Sequence, residues 1–243
     1  MTYCVAMLVD SGLVFLADSR TSAGVDQISV FRKINVFERR GDRALVLMSA
    51  GNLAVSQSVV SILAKEIDAG EGRTTLMNLP GMFEAAKRVG DALREVYARD
   101  AEPLKQHGVE FNTSMILGGQ IAGEAPRLFH IYTAGNFIEA TPDTPYLQIG
   151  ESKYGKPIID RVVTRSTSLA KAAKCALISM DSTIRSNLSV GLPLDLACIK
   201  RDALRIESHV NIDTEHAYFR MVRTQWSESL RHAFHQLPDP DWI

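Results

Sequence analysis

Two short apolar runs open the chain, and a polar turn signal separates them. The first run covers residues 3–9, an Asp-Ser-Gly turn follows at residues 10–12, and the second run covers residues 13–17. Apolar runs of this length on either side of such a turn predict a β-hairpin. Chain ends usually fray, whereas this hairpin would hold residue 2 in a defined position. The start of the chain is therefore expected to be part of the fold.

Farther along, strand-length apolar runs alternate with stretches of helical periodicity. Apolar residues spaced three to four apart predict helices, and short continuous runs bounded by Gly or Pro predict strands. The predicted strands after the hairpin are 33–38, 43–51, 112–119, 127–133, 137–140, 146–149, 195–200 and 204–207. The predicted helices are 52–70, from Pro80 or Gly81 to 108, 168–186, and a terminal helix that starts at the capping residue Asp213. This order predicts an α+β fold, a four-layer αββα sandwich of two antiparallel sheets flanked by helices.

The length and the last residues bear on domain organisation. We expect one domain over residues 1–243, because the linkers are short and no internal repeat is evident. Pro238 and Pro240 prevent the terminal helix from continuing, yet the chain ends in Trp242 and Ile243. Residues 238–243 are therefore expected to form a tail that packs on its own subunit or on a neighbour, and we favour the neighbour.

Composition narrows the classes of function. The 27 basic and 28 acidic residues nearly cancel, which argues against nucleic acid or an anionic membrane as a partner. The three cysteines form no C-x-x-C pair, and no apolar run is long enough to span a membrane. We expect a cytoplasmic protein. His232 and His235 lie near the end of the terminal helix. We expect them to interact there, as cations, with the negative end of the helix dipole rather than to bind a metal.

Thr2 is a candidate nucleophile. Removal of Met1, which requires a small second residue, would leave a hydroxyl and a free α-amine on the same residue. The amine can then act as the general base for its own hydroxyl. An α-amino group is suited to this task because its ordinary pKa is about 7.7–8.0, which leaves part of it neutral at physiological pH.

Other residues of the first third could assist Thr2. Asp18 ends the second strand of the hairpin, which allows it to return beside residue 2. Lys33 opens an apolar strand, and its charge next to the amine would disfavour protonation of that amine. Gly51 joins a strand to a helix, where its N–H could point at a developing oxyanion.

These residues together resemble the amino-terminal signature of proteasome β-type subunits. The signature here consists of Thr2, Asp18, Arg20, Ser22, Gly24, Lys33, Ile34, Ser49, Ala50 and Gly51. Residues 1–5, 23–26 and 31–33 are, more narrowly, similar to Anbu, a family of bacterial proteasome-related β subunits, and the likeness covers essentially the whole chain.

The resemblance implies roles for individual residues. Thr2 would be the nucleophile, with Asp18 and Lys33 as its partners and the N–H of Gly51 stabilising the oxyanion. The residues expected on the substrate-binding side are Arg20, Ser22, Ser49 and Leu53.

The chain departs from the family pattern at two places. Where the pattern has a Gly-Ser-Gly turn, Glu151 replaces the serine and Ser152 follows one position late. Ser152 is then a supporting candidate, while Glu151 either holds the terminal amine or lies in solvent. Asp181 matches a family aspartate near the nucleophile, and for the serine that follows it we favour Ser189 over Ser186.

The resemblance implies a threonine peptidase of the N-terminal nucleophile hydrolase class, acting on peptide or unfolded polypeptide without metal or organic cofactor. It also implies self-association into a ring or an open helical assembly. The sequence does not identify an unfoldase partner. Two alternatives remain open, namely an amidohydrolase for small amides and a non-catalytic, self-assembling peptide-binding scaffold.

Overall fold

The computed structural model describes residues 1–22, 28–70 and 72–243, apart from the side chains of Ser22 and Ile28. The strands are β1 Tyr3–Val9, β2 Gly12–Asp18, β3 Arg20–Ser22, β4 Ile28–Val30, β5 Ile34–Arg39, β6 Arg43–Gly51, β7 Thr113–Ile121, β8 Arg127–Ile131, β9 Phe137–Glu139, β10 Tyr146–Gly150, β11 Leu194–Lys200 and β12 Ser208–Ile212. The helices are α1 Leu53–Asp68, α2 Met82–Gln106, α3 Lys156–Val162, α4 Leu169–Ser186 and α5 Ala217–Gln236, with a short 3₁₀ turn at Ser152–Tyr154.

The opening hairpin is confirmed. β1 and β2 pair antiparallel, with Cys4 opposite Ala17 and Val9 opposite Gly12. Every residue of both strands is buried, because β1 and β2 lie in the middle of a sheet that is covered on both faces. Gly12 is required at the turn: its φ is +142°, and a methyl group there would lie 2.0 Å from the carbonyl oxygen of Ile199.

Two five-stranded antiparallel sheets form the centre of the fold. The first sheet has the order β10-β1-β2-β11-β12 and the second has the order β5-β6-β7-β8-β9. A two-stranded ribbon of β3 and β4 lies beside them. Because β10 is the neighbour of β1, Tyr3 is paired with Gly150 although 147 positions separate them.

Three apolar cores follow from this layering. Alternate β1 side chains, such as Tyr3 and Met7, pack with α3, α4 and α5, while the intervening ones, such as Cys4 and Ala6, pack against the second sheet. The outer face of the second sheet packs on α1 and α2. The four-layer αββα sandwich predicted from the element order is therefore confirmed.

Most predicted helix ends agree with the structure, and one does not. Asn52 caps α1, since its side-chain oxygen accepts the N–H of Ala54 at 3.0 Å. The capping residue of α5 is His216, whose Nδ1 accepts the N–H of Phe219, rather than Asp213. Asp213 instead accepts the N–H of Glu215 and shapes the turn that precedes the helix.

One predicted strand, 204–207, is wrong. Leu204 has a φ of +48°, which no strand residue adopts, and its carbonyl accepts the N–H of Gly41. The strand that pairs with β11 begins later, at Ser208. The alternation of apolar and polar residues in 204–207 is also compatible with a turn, in which Ile206 packs against the core between the sheets. None of the helices in the described ranges is apolar enough over a sufficient length to cross a membrane.

Candidate active site

The backbone of residue 2 is fixed from both sides. The carbonyl of Thr2 accepts the N–H of Glu151 at 2.8 Å, and the N–H of Tyr3 donates to Oδ1 of Asp18 at 3.0 Å. Gly150 makes this approach possible, because a methyl group there would lie 1.9 Å from the carbonyl oxygen of Thr2. Its φ of +78° also favours glycine. Residue 2 is therefore an ordered extension of β1.

The side chain of Tyr3 ties this end of β1 to the helix layer. Its hydroxyl lies 3.1 Å from Oγ of Ser179 on α4 and accepts the amide of Gln148 at 2.6 Å. Burial raises the pKa of the Tyr3 hydroxyl well above its ordinary value, so it stays protonated. The residue that follows Thr2 is thus anchored by its backbone and by its side chain.

Asp18 and Lys33 form a buried ion pair next to residue 2. Nζ of Lys33 lies 2.9 Å from Oδ1 of Asp18, and the two side chains are 5% and 0% exposed. Lys33 also donates to the carbonyl oxygen of Arg20 at 2.6 Å. Burial raises the pKa of the Asp18 carboxyl above its ordinary value, while the charge of Lys33 opposes that rise. Two of the predicted partners of Thr2 are therefore in contact with each other.

A pocket of about 370 Å³ opens beside these residues. It brings Thr2, Lys33 and Gly51 together, and it includes the predicted substrate-binding residues Ser49 and Leu53. Its other lining residues are Met1, Thr21, Ala50, Ser56, Asn112, Gly150 and Glu151. Four larger cavities, of about 630, 530, 480 and 400 Å³, lie at other places in the described part of the chain, so chemistry rather than size identifies this pocket as the candidate active site.

Gly51 lies where β6 passes into α1. Its φ is +108°, and a methyl group there would lie 2.3 Å from the carbonyl oxygen of Asn112. Glycine therefore lets the backbone pass close to Asn112 at the wall of the pocket. The N-terminus of α1, the positive end of its helix dipole, begins two residues later at Leu53, and the Asn52 side chain accepts the N–H groups of Ala54 and Val55 there. This end of the pocket favours a negative charge.

The turn after β10 differs from the expectation. Glu151 lines the pocket, and its side chain is only 17% exposed, with Nζ of Lys153 at 3.8 Å. Ser152 is not among the lining residues; its carbonyl accepts the side chain of Gln148 at 3.5 Å. The 3₁₀ turn that starts at Ser152 directs the chain out of the pocket. Glu151 therefore lies at the pocket rather than in open solvent, and a bond from it to the terminal amine stays a prediction.

Asp181 does not join the pocket. Its two carboxylate oxygens accept Nε of Arg185 at 2.9 Å and Nε of Arg223 at 2.7 Å. Asp181 is buried and connects α4 to α5. The position that resembles a family site residue therefore forms its ion pairs within the helix layer.

Ser189 lies in the loop after α4, where its N–H donates to the side chain of Asn187, and it does not line the pocket. The same loop nevertheless comes close to Asp18, since the N–H of Ser19 donates to the carbonyl of Pro193 at 2.8 Å, and the nearby N–H of Gly191 opposes the rise of the Asp18 pKa. Arg20 holds the loop in place through a bond from its guanidinium to the carbonyl of Leu188 at 3.2 Å.

Two predicted residues are partly or wholly outside the described part of the chain. The side chain of Ser22 lies outside it, and so does Gly24 with the rest of the 23–26 segment.

The pocket also contains residues that the sequence did not predict. Thr21 carries no distinguishing signal, but Ser56 lies three residues after Leu53 on α1 and could have been found from helical spacing.

The described residues include no group of three or more His, Cys, Asp or Glu side chains placed to hold a metal ion. All three cysteines are buried and free. Burial raises the pKa of the Cys4 thiol, which lies beneath the pocket with its Sγ 3.7 Å from the carbonyl of Ser49. What the pocket offers is a hydroxyl, a buried ammonium and a helix N-terminus, a set suited to acyl transfer.

Comparison with known proteins places this site in a family. No family model matches the chain. The proteasome subunit beta of Haloferax volcanii is 24% identical over 213 residues, which cover 87% of this chain and 79% of that protein. Among solved structures, Anbu (ancestral beta-subunit) from Yersinia bercovieri is 56% identical with a TM-score of 0.93 and covers 99% of both chains.

A second solved structure agrees with the first. The chain in the helical assembly of the Anbu complex from Pseudomonas aeruginosa is 50% identical, with a TM-score of 0.93, and the match covers 99% of this chain and 98% of that one. Identity of this extent over nearly the full length goes beyond a shared fold. The chain belongs to the Anbu family of proteasome β-like N-terminal nucleophile hydrolases.

Proposed function

We propose that this chain is a threonine-type peptidase subunit, in which Thr2 becomes the N-terminal nucleophile once Met1 has been removed. The observation that carries the proposal is the buried ion pair of Lys33 and Asp18, since Asp18 also binds the N–H next to residue 2. A charged pair is costly to bury, so its position beside a hydroxyl in a pocket supports a catalytic use.

The proposed reaction starts with the amine of processed Thr2. The neutral amine takes the proton of the Thr2 hydroxyl, directly or through a water molecule, and Oγ attacks the carbonyl carbon of the scissile peptide. Lys33 disfavours protonation of the amine, and Asp18 holds Lys33 in orientation. The N–H of Gly51 donates to the oxyanion. The C–N bond breaks, the leaving amine takes the proton, and water then hydrolyses the ester.

Met1 is the structural obstacle to this chemistry. In the chain as written the α-amine belongs to Met1, whose side chain is 61% exposed and lies at the pocket, with Sδ 3.8 Å from Nδ2 of Asn187. The exposed position is compatible with removal by an aminopeptidase. The peptide unit that joins Thr2 to Tyr3 is held by the N–H of Glu151 and the carboxylate of Asp18, groups that Met1 does not supply, so its position does not depend on Met1.

The substrate is proposed to be peptide or unfolded polypeptide. Ser49 and Leu53 line the pocket, which supports their role in substrate binding, and Arg20 organises the loop next to it. The role of Ser22 stays a prediction. We further propose that residues 1–243 act as one catalytic domain, that it works in the cytoplasm with its cysteines reduced, and that it self-associates. The described assembly of the Pseudomonas aeruginosa relative supports self-association.

Intact-mass measurement and covalent labelling test the proposal. The purified protein should lack the mass of Met1, and an α′,β′-epoxyketone peptide should label it at Thr2. Thr2→Ala should abolish labelling, whereas Thr2→Ser, which keeps a hydroxyl on the same residue, should retain it.

Three other outcomes would contradict the proposal in different ways. Retention of Met1 in the assembled protein removes the general base. Processed protein that never labels favours the non-catalytic scaffold. Labelled protein that hydrolyses small amides but no peptide favours the amidohydrolase.

A further inference from the structure

A groove in the outer helix layer has no role in the proposed chemistry. It has a volume of about 530 Å³ and lies between α3, α4 and α5. Its apolar wall is formed by Cys175, Ile178, Met221, Val222 and Trp226. We call it the α4–α5 groove. It is large enough to receive an aromatic side chain, since ligand pockets begin at about 300 Å³.

Two lysines give the α4–α5 groove a positive rim. Lys171 and Lys174 line it from α4, and both are exposed. Within the described residues, neither of them is paired with a carboxylate, whereas Lys156, Arg185 and Arg220 of the same helices are. Residues three apart on a helix lie on one face, with about 5–6 Å between their Cβ atoms. The groove therefore combines an apolar floor with two cations on one side.

The last residues of the chain have the complementary character. Trp242 and Ile243 are 82% and 99% exposed, so the tail is not packed in the groove of its own subunit. Asp239 and Asp241 precede them and, in the described part of the chain, neither is in an ion pair. Pro238 and Pro240 favour extended backbone, in which residues two apart are separated by about 6–7 Å, and in the free tail a turn at residues 241 and 242 follows them.

We propose that the tail of one copy, residues 238–243, docks in the α4–α5 groove of a second copy. Trp242 fills the apolar wall, and the carboxylates of Asp239 and Asp241 pair with Lys171 and Lys174. The backbone spacing of the two aspartates in an extended chain is comparable to the Cβ spacing of the two lysines on α4, and a rigid aromatic anchor inside a ring of polar contacts is the pattern of strong interface residues. The proposal rests on the self-association proposed above but not on peptidase activity.

Disulfide trapping tests which copy receives the tail. Ser229 lines the α4–α5 groove and is exposed, and the three native cysteines are buried, so Ser229→Cys and Ile243→Cys each add one accessible thiol. The two single variants, carrying different tags, are co-expressed and oxidised. A disulfide between the two differently tagged chains is expected. Assembled protein that forms no such disulfide overturns the docking alone, whereas protein that stays monomeric overturns self-association and the docking with it.

Charge exchange tests the contacts. Lys171→Glu together with Lys174→Glu should lower the yield of the trapped disulfide about tenfold, the effect of losing about 1.4 kcal/mol of binding free energy. Asp239→Lys with Asp241→Lys in the other chain should restore the yield.

Trp242→Ala should lower the yield as much, while Phe234→Ala, an exposed α5 residue that does not line the groove, should not. If Phe234→Ala and Trp242→Ala lower the yield equally, or if the charge exchange gives no recovery, the assigned contacts are wrong. Labelling at Thr2 is measured in parallel, and it reports the peptidase proposal separately.

Discussion

Nζ of Lys33 lies 2.9 Å from Oδ1 of Asp18, although Asp18 ends β2 of the first sheet and Lys33 directly precedes β5 of the second. The pair therefore connects the two sheets at the end where the pocket opens. Both groups are removed from solvent, so each depends on the other for compensation of its charge. The same contact therefore contributes to the stability of the fold and to the proposed catalysis.

Lys33→Met is expected to destabilise the protein by about 3–5 kcal/mol, because it leaves the Asp18 carboxylate buried without its partner. Denaturant unfolding measures this loss. Burial already raises the pKa of Asp18, and without Lys33 nothing of comparable charge opposes the rise. The folded variant then keeps a proton that the unfolded chain releases above about pH 4, so its stability should fall as pH rises from there toward the folded-state pKa.

The control for this experiment is Lys33→Met combined with Asp18→Asn, which removes both charges. The double variant should regain part of the stability and lose the pH dependence. A double variant as unstable and as pH-dependent as Lys33→Met would show that the carboxylate is not the cause.

Gly150→Ala is expected to disturb residue 2 directly. The added methyl group would lie 1.9 Å from the carbonyl oxygen of Thr2, and the φ of +78° is unfavourable for alanine. The matched control is Gly41→Ala, at a φ of +80° with no atom within 4 Å of the added methyl group. We expect a cost of about 1–2 kcal/mol for the control and about 1–3 kcal/mol more for Gly150→Ala from the overlap.

Epoxyketone labelling at Thr2 separates the two glycine variants further. It should be retained in Gly41→Ala and lost in Gly150→Ala under conditions in which both are folded. Equal labelling in the two would mean that the position of Thr2 does not depend on Gly150.

Tyr3→Phe removes a buried hydroxyl that is bonded to both Ser179 and Gln148. Ser179 and Gln148 lose a partner, so we expect a loss of about 1–3 kcal/mol in the free energy of unfolding. Tyr97→Phe is the comparison, since Tyr97 is exposed and should tolerate the change within about 0.5 kcal/mol. Thermal unfolding of the two variants side by side measures the difference, and equal midpoints would count against an anchoring role for the Tyr3 hydroxyl.

Asp181→Asn tests whether Asp181 acts in the helix layer or at the site. Its contacts with Arg223 and Arg185 predict a loss of about 1.5–3 kcal/mol of stability with labelling at Thr2 unchanged. Arg185→Gln changes only the more exposed partner and should cost about 0–1 kcal/mol. Loss of labelling at Thr2 without loss of stability would instead show that Asp181 acts at the candidate active site.

Much of the fold could be predicted because its signals are local. The hairpin follows from two apolar runs around a turn, and α1 follows from the cap at Asn52 and its apolar stripe. The strand prediction for 204–207 failed for the same reason. Its alternating apolar and polar residues are a local signal, whereas the positive φ of Leu204 and its hydrogen bond with Gly41 belong to the tertiary structure.

The site was predictable where position along the chain determines position in space. Asp18 returns beside residue 2 because a hairpin requires it. Asp181 could not be assigned from sequence, because its partner Arg223 lies on another helix and the meeting depends on how α4 and α5 pack. Glu151 and Ser152 differ by one position, and only the turn after Gly150 decides which of them faces the pocket.

The hairpin strand β1 supplies side chains to the apolar layers on both of its faces, and residue 2 directly precedes it. A change that loosens either layer is therefore passed along a short, stiff backbone to the candidate nucleophile. Substitutions that raise the heat resistance of these layers should for that reason also change the position of Thr2, and with it the proposed reaction.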